Sequence, residues 1–353
     1  MALPFQSSQP KKRSQIAAID MGTRTTKAVY VQRKGQGFEL LDYTVQQAPG
    51  YEKNFSTELF SEHLKSVSQA LGLKTKQVVL MPGVADSLLR HAEVPMVPIA
   101  DMRLMLKYNS KNYLQQDLPD YVFDCYVLPP RPGSASTELV KNQKCRVLVS
   151  AARKQFLDNL QEATKNAGLV TDQITPSLIG TANAFEMAQP EAFAKEVVAL
   201  VDIGFKNSTI TILLHGEMSL SRVVGLGGDK LTSGLAEAMS INYAEAEIVK
   251  VGMAEEAQSM MMGLLMPLGR ELRASIDFFE KQEDRTVSQV FISGGSACSQ
   301  FIIETLQSEL MVPCKSWSPL SFLDLALPPQ QMGAVEQLAP QLAAATGGAI
   351  AAL

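Results

Sequence analysis

The sequence predicts an α/β fold of two duplicated βββα-type domains around a cleft, with a small α+β insertion in the first. Three observations carry this. At roughly 150 residues per domain, a chain of 353 residues makes about two domains. Two segments, IAAIDMGTRTTKAVYVQRKG and VALVDIGFKNSTITILLHGE, share one layout of apolar strand, Asp-x-Gly turn and second apolar strand. Asp20 and Asp202 lie 182 residues apart, as do Gly22 and Gly204, so the repeat divides the chain into halves.

The elements follow in order. IAAID (16–20), TKAVYVQ (26–32) and FELLDYTVQQ (38–47) read as three strands, with KGQG as a hairpin turn. Residues 56–71 carry apolar residues at helical spacing, with Ser56 and Thr57 to start the helix and Gly72 to close it. QVVLMPG is a buried strand. Residues 84–172 then change texture: a helix at 100–116, with Leu104, Leu106, Tyr108, Tyr113 and Leu114 available for one face, precedes a strand, YVFDCYVL. A polar loop, RPGSASTELVKNQK, a partner strand, CRVLVSAA, and a helix at 153–167 complete the insertion.

The second half repeats the meander in VVALVDIG, STITILLHG and EMSLSRVVGLGG. Helices are expected over 230–266 and 268–281, on either side of Pro267, a strand over 287–294 and a helix over 299–310. A last helix, loosened by its glycines, is expected over 334–351.

Composition narrows the function. The net charge of −4 argues against a nucleic-acid-holding protein, which needs a basic face. None of Cys125, Cys145, Cys298 and Cys314 forms a CxxC pair, which disfavours a zinc site and fits reduced thiols in the cytoplasm. His63, His91 and His215 are scattered. The first 13 residues lack the apolar stretch of a signal peptide and read as a disordered tail. No window is long and apolar enough to span a membrane, and the apolar end at 342–353 carries no Lys or Arg for a basic membrane anchor. The methionine-rich run at Met260, Met261, Met262 and Met266 suits a helix core.

The two turns carry the chemistry. Thr23, Thr25 and Thr26 in one copy, and Asn207 and Ser208 in the other, can offer side-chain and backbone donors, so two facing turns can cradle a polyphosphate. Asp20 and Asp202 would repel that polyphosphate unless a divalent cation intervened, which implies Mg²⁺ held through waters. Lys27 either balances phosphate charge or is a solvated strand-end lysine. FISGGSACSQ, a strand running into Gly294–Gly295 and then a helix, can lay a flat ring on bare backbone. GLGGDKLT opens another helix and does not match a dinucleotide fingerprint.

This order of phosphate turn, insertion, second phosphate turn, GGxxLT run and SGG turn resembles the actin-like ATPase superfamily, which includes actin, heat-shock chaperone ATPases, sugar kinases and the division protein FtsA. More closely, the chain resembles the PilM family, cytoplasmic actin-like proteins of the type IV pilus inner-membrane platform. The stretches that carry the resemblance include AIDMGTRTTKAV, NYLQQDLPDYVFDCYVL, RVLVSAARKQFLDNLQEATKNAGL, VALVDIGFKNSTITIL, GLGGDKLTSGLAEAMSINYAEAEIVK and VFISGGSA.

The resemblance implies ATP or ADP with Mg in the interdomain cleft. It places Asp20, Gly22, Thr23, Thr25 and Lys27 on the first phosphate loop and Asp202, Gly204 and Ser208 on the second. Gly227, Gly228 and Thr232 match the GGxxLT run. Glu247 and Lys250 match the pair that brackets the adenosine, and Gly294, Gly295 and Ser296 match the adenosine turn. Arg24 and Phe205 are bulky where the family has small residues, and Asn207 stands where Thr is common. No general base for an attacking water stands out, so binding with at most slow hydrolysis is expected.

The implied division is residues 14–83 with 173–192 and 334–353 as domain 1A, 84–172 as insertion 1C, 193–224 with 285–333 as 2A, and 225–284 as 2B. The implied partner is the cytoplasmic N-terminal segment of a PilN-like bitopic membrane protein, docked as an extended peptide between the first domain and the insertion. Pilus motor ATPases are further expected partners, with no nucleic acid and no direct membrane insertion. Tyr108, Tyr113, Tyr121 and Phe123 could form the peptide groove or, equally, the insertion core. The alternative is an FtsA-like bacterial-actin filament protein, which would normally carry a C-terminal amphipathic helix that this chain lacks. A small-molecule kinase of this fold would need a catalytic acid that the sequence does not offer.

Overall fold

The computed structural model describes residues 14–50, 55–130, 144–252 and 255–353. The predicted tail at 1–13 and most of the polar loop at 131–144 lie outside the described residues.

The first sheet grows from an antiparallel meander, β1 (Gln15–Met21), β2 (Thr25–Lys34) and β3 (Gly37–Gln47). Helix α1 (Thr57–Ala70) is capped by Ser56, whose hydroxyl accepts from the Leu59 amide. It leads to β4 (Gln77–Pro82), parallel to β1. The chain then leaves for a small antiparallel sheet, β5 (Ser87–Pro95), β6 (Tyr121–Val127) and β7 (Lys144–Arg153), with α2 (Ile99–Leu114) against it. Helix α3 (Lys154–Asn166) and β8 (Val170–Ile174) return it to the first sheet.

Helices α4 (Ser177–Ala188) and α5 (Pro190–Lys195) enter the second half. Its meander is β9 (Val197–Ile203), β10 (Ser208–Leu214) and β11 (Glu217–Val224). The separation of 182 residues carries both ends of β1 onto both ends of β9. Next come α6 (Gly228–Met239), α7 (Tyr243–Gly252), α8 (Glu255–Glu283), β12 (Gln289–Ser293), a 3₁₀ turn at Gly295–Cys298, α9 (Gln300–Leu310) and β13 (Cys314–Ser316). Strand β14 (Leu323–Leu325) crosses back to pair with β3, and α10 (Pro329–Leu338), a 3₁₀ turn and α11 (Ala343–Ala352) end the chain. The sheets run β14-β3-β2-β1-β4-β8, β11-β10-β9-β12-β13 and β5-β7-β6.

Alternation explains where the acids point. Along β1, Ala17, Ile19 and Met21 join the core under α1 and α3, whereas Ile16 and Ala18 join the core under α11. Asp20 continues the α11 side. Along β9, Val197, Ala199, Val201 and Ile203 face the core of α6 to α9, and Val198 and Leu200 face α4. Asp202 continues the α4 side. Strands covered on both faces read as unbroken apolar runs, which is why both were visible in the sequence. Helices α4 and α11 pack on each other between the sheets, and each acid emerges beside them at its strand's end.

Several expectations are corrected. The glycines of α11 do not loosen it. A β-carbon at Gly347 would collide with the Gly180 carbonyl of α4, so glycine permits the close approach of the two helices. The expected helix at 334–351 is two helices, interrupted at 339–342 around Pro340. Pro267 does not divide two helices, because α8 runs through it with the proline exposed. Strands β5, β8, β13 and β14 and helices α4 and α5 were not expected. On α2 the inward residues are Met102, Leu106 and Ser110, and Leu104 and Tyr108 face out. A kink at Asn109 (φ −134°) resets the phase, so that Tyr113 and Leu114 reach the core again.

Candidate functional site

The open ends of both meanders face one cavity of about 480 Å³. Among its lining residues are Asp20, Gly22, Thr23, Thr25 and Lys27 from the first turn, and Asp202 and Gly204 from the second. Gly228, Glu247, Lys250, Gly294, Gly295 and Ser296 complete the predicted set in the lining. Ser208, Gly227 and Thr232 stand behind it. The buried Ser208 hydroxyl donates to the Leu226 carbonyl (2.6 Å), tying the second turn to the loop that opens α6.

Strand register builds the cavity floor. Asp20 lies directly across from Lys27 in the β1–β2 ladder, and their charged groups meet at 3.3 Å. The Lys27 side chain is only 18% exposed, which removes the solvated-lysine alternative. In the second copy the position across from Asp202 is Thr209. Asp202 instead accepts from the Ser293 hydroxyl (3.3 Å), its neighbour on β12. Burial pushes the Asp202 carboxyl up to about 6, against the pull of Lys27, with Asp20 adding to the rise and the Ser293 hydrogen bond opposing it. Two carboxylates therefore share one lysine.

Helix starts surround this floor. No side chain caps α6; the Gly228 and Asp229 amides donate to the Gly204 and Phe205 carbonyls of the second turn, both at 2.9 Å. The α4 start contributes Ser177 and Thr181 to the lining. The adenosine-turn candidate depends on Gly294: its φ is +91°, and a β-carbon there would sit 2.5 Å from the Ile203 carbonyl oxygen.

Glu247 and Lys250 share a hub. Lys250 is buried and donates to Glu247 and to the Thr232 hydroxyl, both at 2.8 Å, and Thr232 donates to Glu247 (2.6 Å). Burial works to raise the Glu247 carboxyl, but the hydrogen bonds from Lys250 and Thr232 and the charges of Lys250 and Arg24 leave it below its ordinary value.

Sequence reading did not select Arg24, Asp86, Ser177, Thr181, Phe205, Lys206 or Gln341 as site residues, and all of them line the cavity. Arg24 and Phe205 carried a signal, since both broke the small-residue pattern of the turns. Asp86 carried none: it sits in the β4–β5 turn, and burial raises its carboxyl against the opposing charge of Arg153.

The four aromatic groove candidates do not come together as one surface. Phe123 is buried in the insertion core, and Tyr113 and Tyr121 pack against that core. The Tyr121 hydroxyl accepts from Arg153 Nε (3.3 Å). Tyr108 is 73% exposed and is the one of the four that projects freely. For Phe123 the sequence left groove and insertion core open, because alternation alone does not say which strand face is covered; α2 covers this one, which decides for the core.

The duplicated meanders, the cleft between them and the acid at each strand end define an actin-like ATPase fold. EutJ from Carboxydothermus hydrogenoformans shares it at a TM-score of 0.56 with 14% identity, over 97% of this chain and 91% of that one. MreB5 of Spiroplasma citri bound to ADP does so at 0.52 with 11% identity, over 88% and 94%. The protein of a solved PilM–PilN type IV pilus biogenesis complex is nearer, with a TM-score of 0.80 and 20% identity over 96% of this chain and 98% of that one. The family model described as type IV pilus assembly protein PilM matches residues 18–352, and the chain belongs to that family. The cell division protein FtsA of Bacillus subtilis (strain 168) is 31% identical over 97 residues, which is 28% of this chain and 21% of FtsA. Among the described residues no helix is long and apolar enough to cross a membrane.

Proposed function

We propose that this chain is an ATP-binding actin-like adaptor of a type IV pilus or related inner-membrane platform. In this reading it works in the cytoplasm and binds the cytoplasmic N-terminal segment of a PilN-like bitopic membrane protein. The observation that carries the nucleotide part is the convergence of both Asp-x-Gly turns, the Glu247–Lys250 pair and the Gly294–Gly295 turn on one cavity of nucleotide size. The partner reading is supported by membership of the PilM family and by the likeness to the PilM–PilN complex. Pilus motor ATPases are further candidate partners.

The floor fits a Mg²⁺-nucleotide. Asp20, Asp202 and Lys27 leave it net negative, so phosphates settle there only with a cation between. Among the described residues no group of three acidic, His or Cys side chains is close enough to hold a metal by itself. Asp20 and Asp202 would hold the cation through waters. When bound, the cation neutralises phosphate charge. The rest belongs to the chain: Lys27 offsets carboxylate charge, the Thr23 and Thr25 hydroxyls donate, the Gly295 backbone leaves room for the base, and Glu247 accepts from ribose hydroxyls. Holding the halves 14–83 with 173–192 and 334–353, and 193–224 with 285–333, at one angle would shape the peptide-binding face of the insertion at 84–172. That coupling requires the nucleotide to prefer one arrangement of the halves. Hydrolysis is slow at most.

A thermal-shift titration with Mg·ATP tests this. At about 100 times its dissociation constant, ATP adds roughly 2.7 kcal/mol to folding stability. Asp202→Ala abolishes the shift, and a peptide of the PilN-like N-terminal segment adds its own. No shift with ATP in the parent chain would refute the nucleotide reading, and no shift with peptide would refute the partner reading.

A further inference from the structure

The two bulky residues of the phosphate turns meet each other across the cleft mouth. The Arg24 guanidinium carbon lies 5.0 Å from the centroid of the Phe205 ring, and its Nη1 lies 3.1 Å from Glu247 Oε1. Lys206 Nζ lies 5.4 Å from the same centroid and pairs with Asp229 at 3.0 Å. Asp229 in turn accepts from the Tyr243 hydroxyl (2.8 Å). Arg24 belongs to the turn of the first half, Phe205 to that of the second, and Glu247 to α7. One side chain therefore joins three walls of the mouth.

Both Glu247 oxygens are engaged: Oε2 accepts from Thr232 and Lys250, and Oε1 accepts from Arg24. Thr232 is fully buried and Lys250 nearly so, which fixes them to the hub. The Arg24 side chain is 41% exposed; the Glu247 ion pair, the Phe205 ring and the charge of Asp229 hold it, each weak at a surface. Arg24 is thus the member of the set able to turn. It sits between Thr23 and Thr25, on the turn that faces the phosphates, and a planar guanidinium suits phosphate oxygens.

We infer that Arg24 determines ligand specificity in this cleft: it latches Glu247 until a nucleoside polyphosphate arrives, then turns to the phosphates and frees Glu247 for the ribose. This inference rests on the nucleotide reading proposed above. For a polyphosphate, the exchange replaces one anionic partner of Arg24 by a more highly charged one. A nucleoside without phosphates must break the latch and offers Arg24 nothing in return. The preference for ATP over adenosine is therefore set largely by this residue.

Calorimetric titration of the parent chain, Arg24→Ala and Arg24→Lys with Mg·ATP, Mg·ADP and adenosine decides it. Arg24→Ala weakens Mg·ATP by about tenfold or more, the loss expected for a charge-assisted contact. It also tightens adenosine several-fold, so the two affinities move in opposite directions. Arg24→Lys, which keeps the charge without the fork, falls between. A melting curve of each variant confirms folding, which an exposed side chain permits. If Arg24→Ala leaves the ATP-to-adenosine ratio unchanged, whether or not both affinities shift, the latch is refuted while the nucleotide reading stands. If the parent chain binds neither ATP nor ADP, both fall.

Discussion

At the scale of single residues, the floor of the cleft sets two carboxylates, Asp20 and Asp202, against one lysine, Lys27. Burial raises the Asp202 carboxyl to about 6. The folded chain holds that proton more tightly than the unfolded one. The resulting stability is present in full below about pH 4 and is lost as pH rises through about 6. In metal-free buffer, Asp202→Asn is therefore more stable than the parent by up to about 3 kcal/mol above pH 6, with the gap closing near pH 4. Urea unfolding of both proteins across that range measures it. The Thr232 hydroxyl gives a second test. Thr232→Val keeps the shape but leaves Glu247 and Lys250 each short of a buried partner, so it costs about 1–3 kcal/mol by the same assay.

Among the elements, α11 and α8 show what glycine and proline do here. Gly347→Ala forces α11 away from α4 and lowers stability by about 1–3 kcal/mol, seen as a lower melting temperature. Pro267 has no amide to donate inside α8, and it is exposed. Pro267→Ala restores that donor and raises the melting temperature. The elements legible in the sequence were those with a strong period or a cap: β1, β9, α1 with Ser56, and α9, where the Ser299 hydroxyl accepts from the Ile302 amide. Strands β13 and β14, three residues each, are too short to show a period. Strand β5 carries Arg90, His91 and Glu93, lies at a sheet edge and ends in Pro95, so its pattern is weak. Helix α4 is apolar on nearly every side because it is packed all round, and its helical period is lost.

Across the whole molecule, one core ties the parts together. Leu89, Leu128 and Leu148 of the insertion region, Phe185 of α4, Leu200 and Phe291 of the second sheet, and Trp317 belong to a single buried cluster. The Phe185 ring meets those of Phe291 and Trp317 edge-on, at 4.6 and 5.3 Å. His91 also bonds the Met218 carbonyl (2.7 Å), and Arg146 pairs with Glu217, both joining the insertion to β11. Unfolding is accordingly one cooperative event: the fluorescence of Trp317, the single tryptophan, and far-UV circular dichroism change at the same urea concentration. Fluorescence changing first would mean that the halves separate before they unfold. Phe185→Ala costs about 3–5 kcal/mol and keeps the two curves together.

The sequence alone determined the duplication and the acid at the end of each first strand, because alternation, turn chemistry and a repeated motif are local and survive in the order of residues; the order of its motifs also carried the resemblance to the family. Tertiary structure decided which of these residues act together. Arg24 meets Glu247 across 223 residues of chain, Lys27 pairs with Asp20 and pulls on Asp202 of the other half, and Phe123 is turned inward by α2. Contacts between distant segments leave no local pattern. They exist only once burying both faces of two sheets has fixed how the halves face each other.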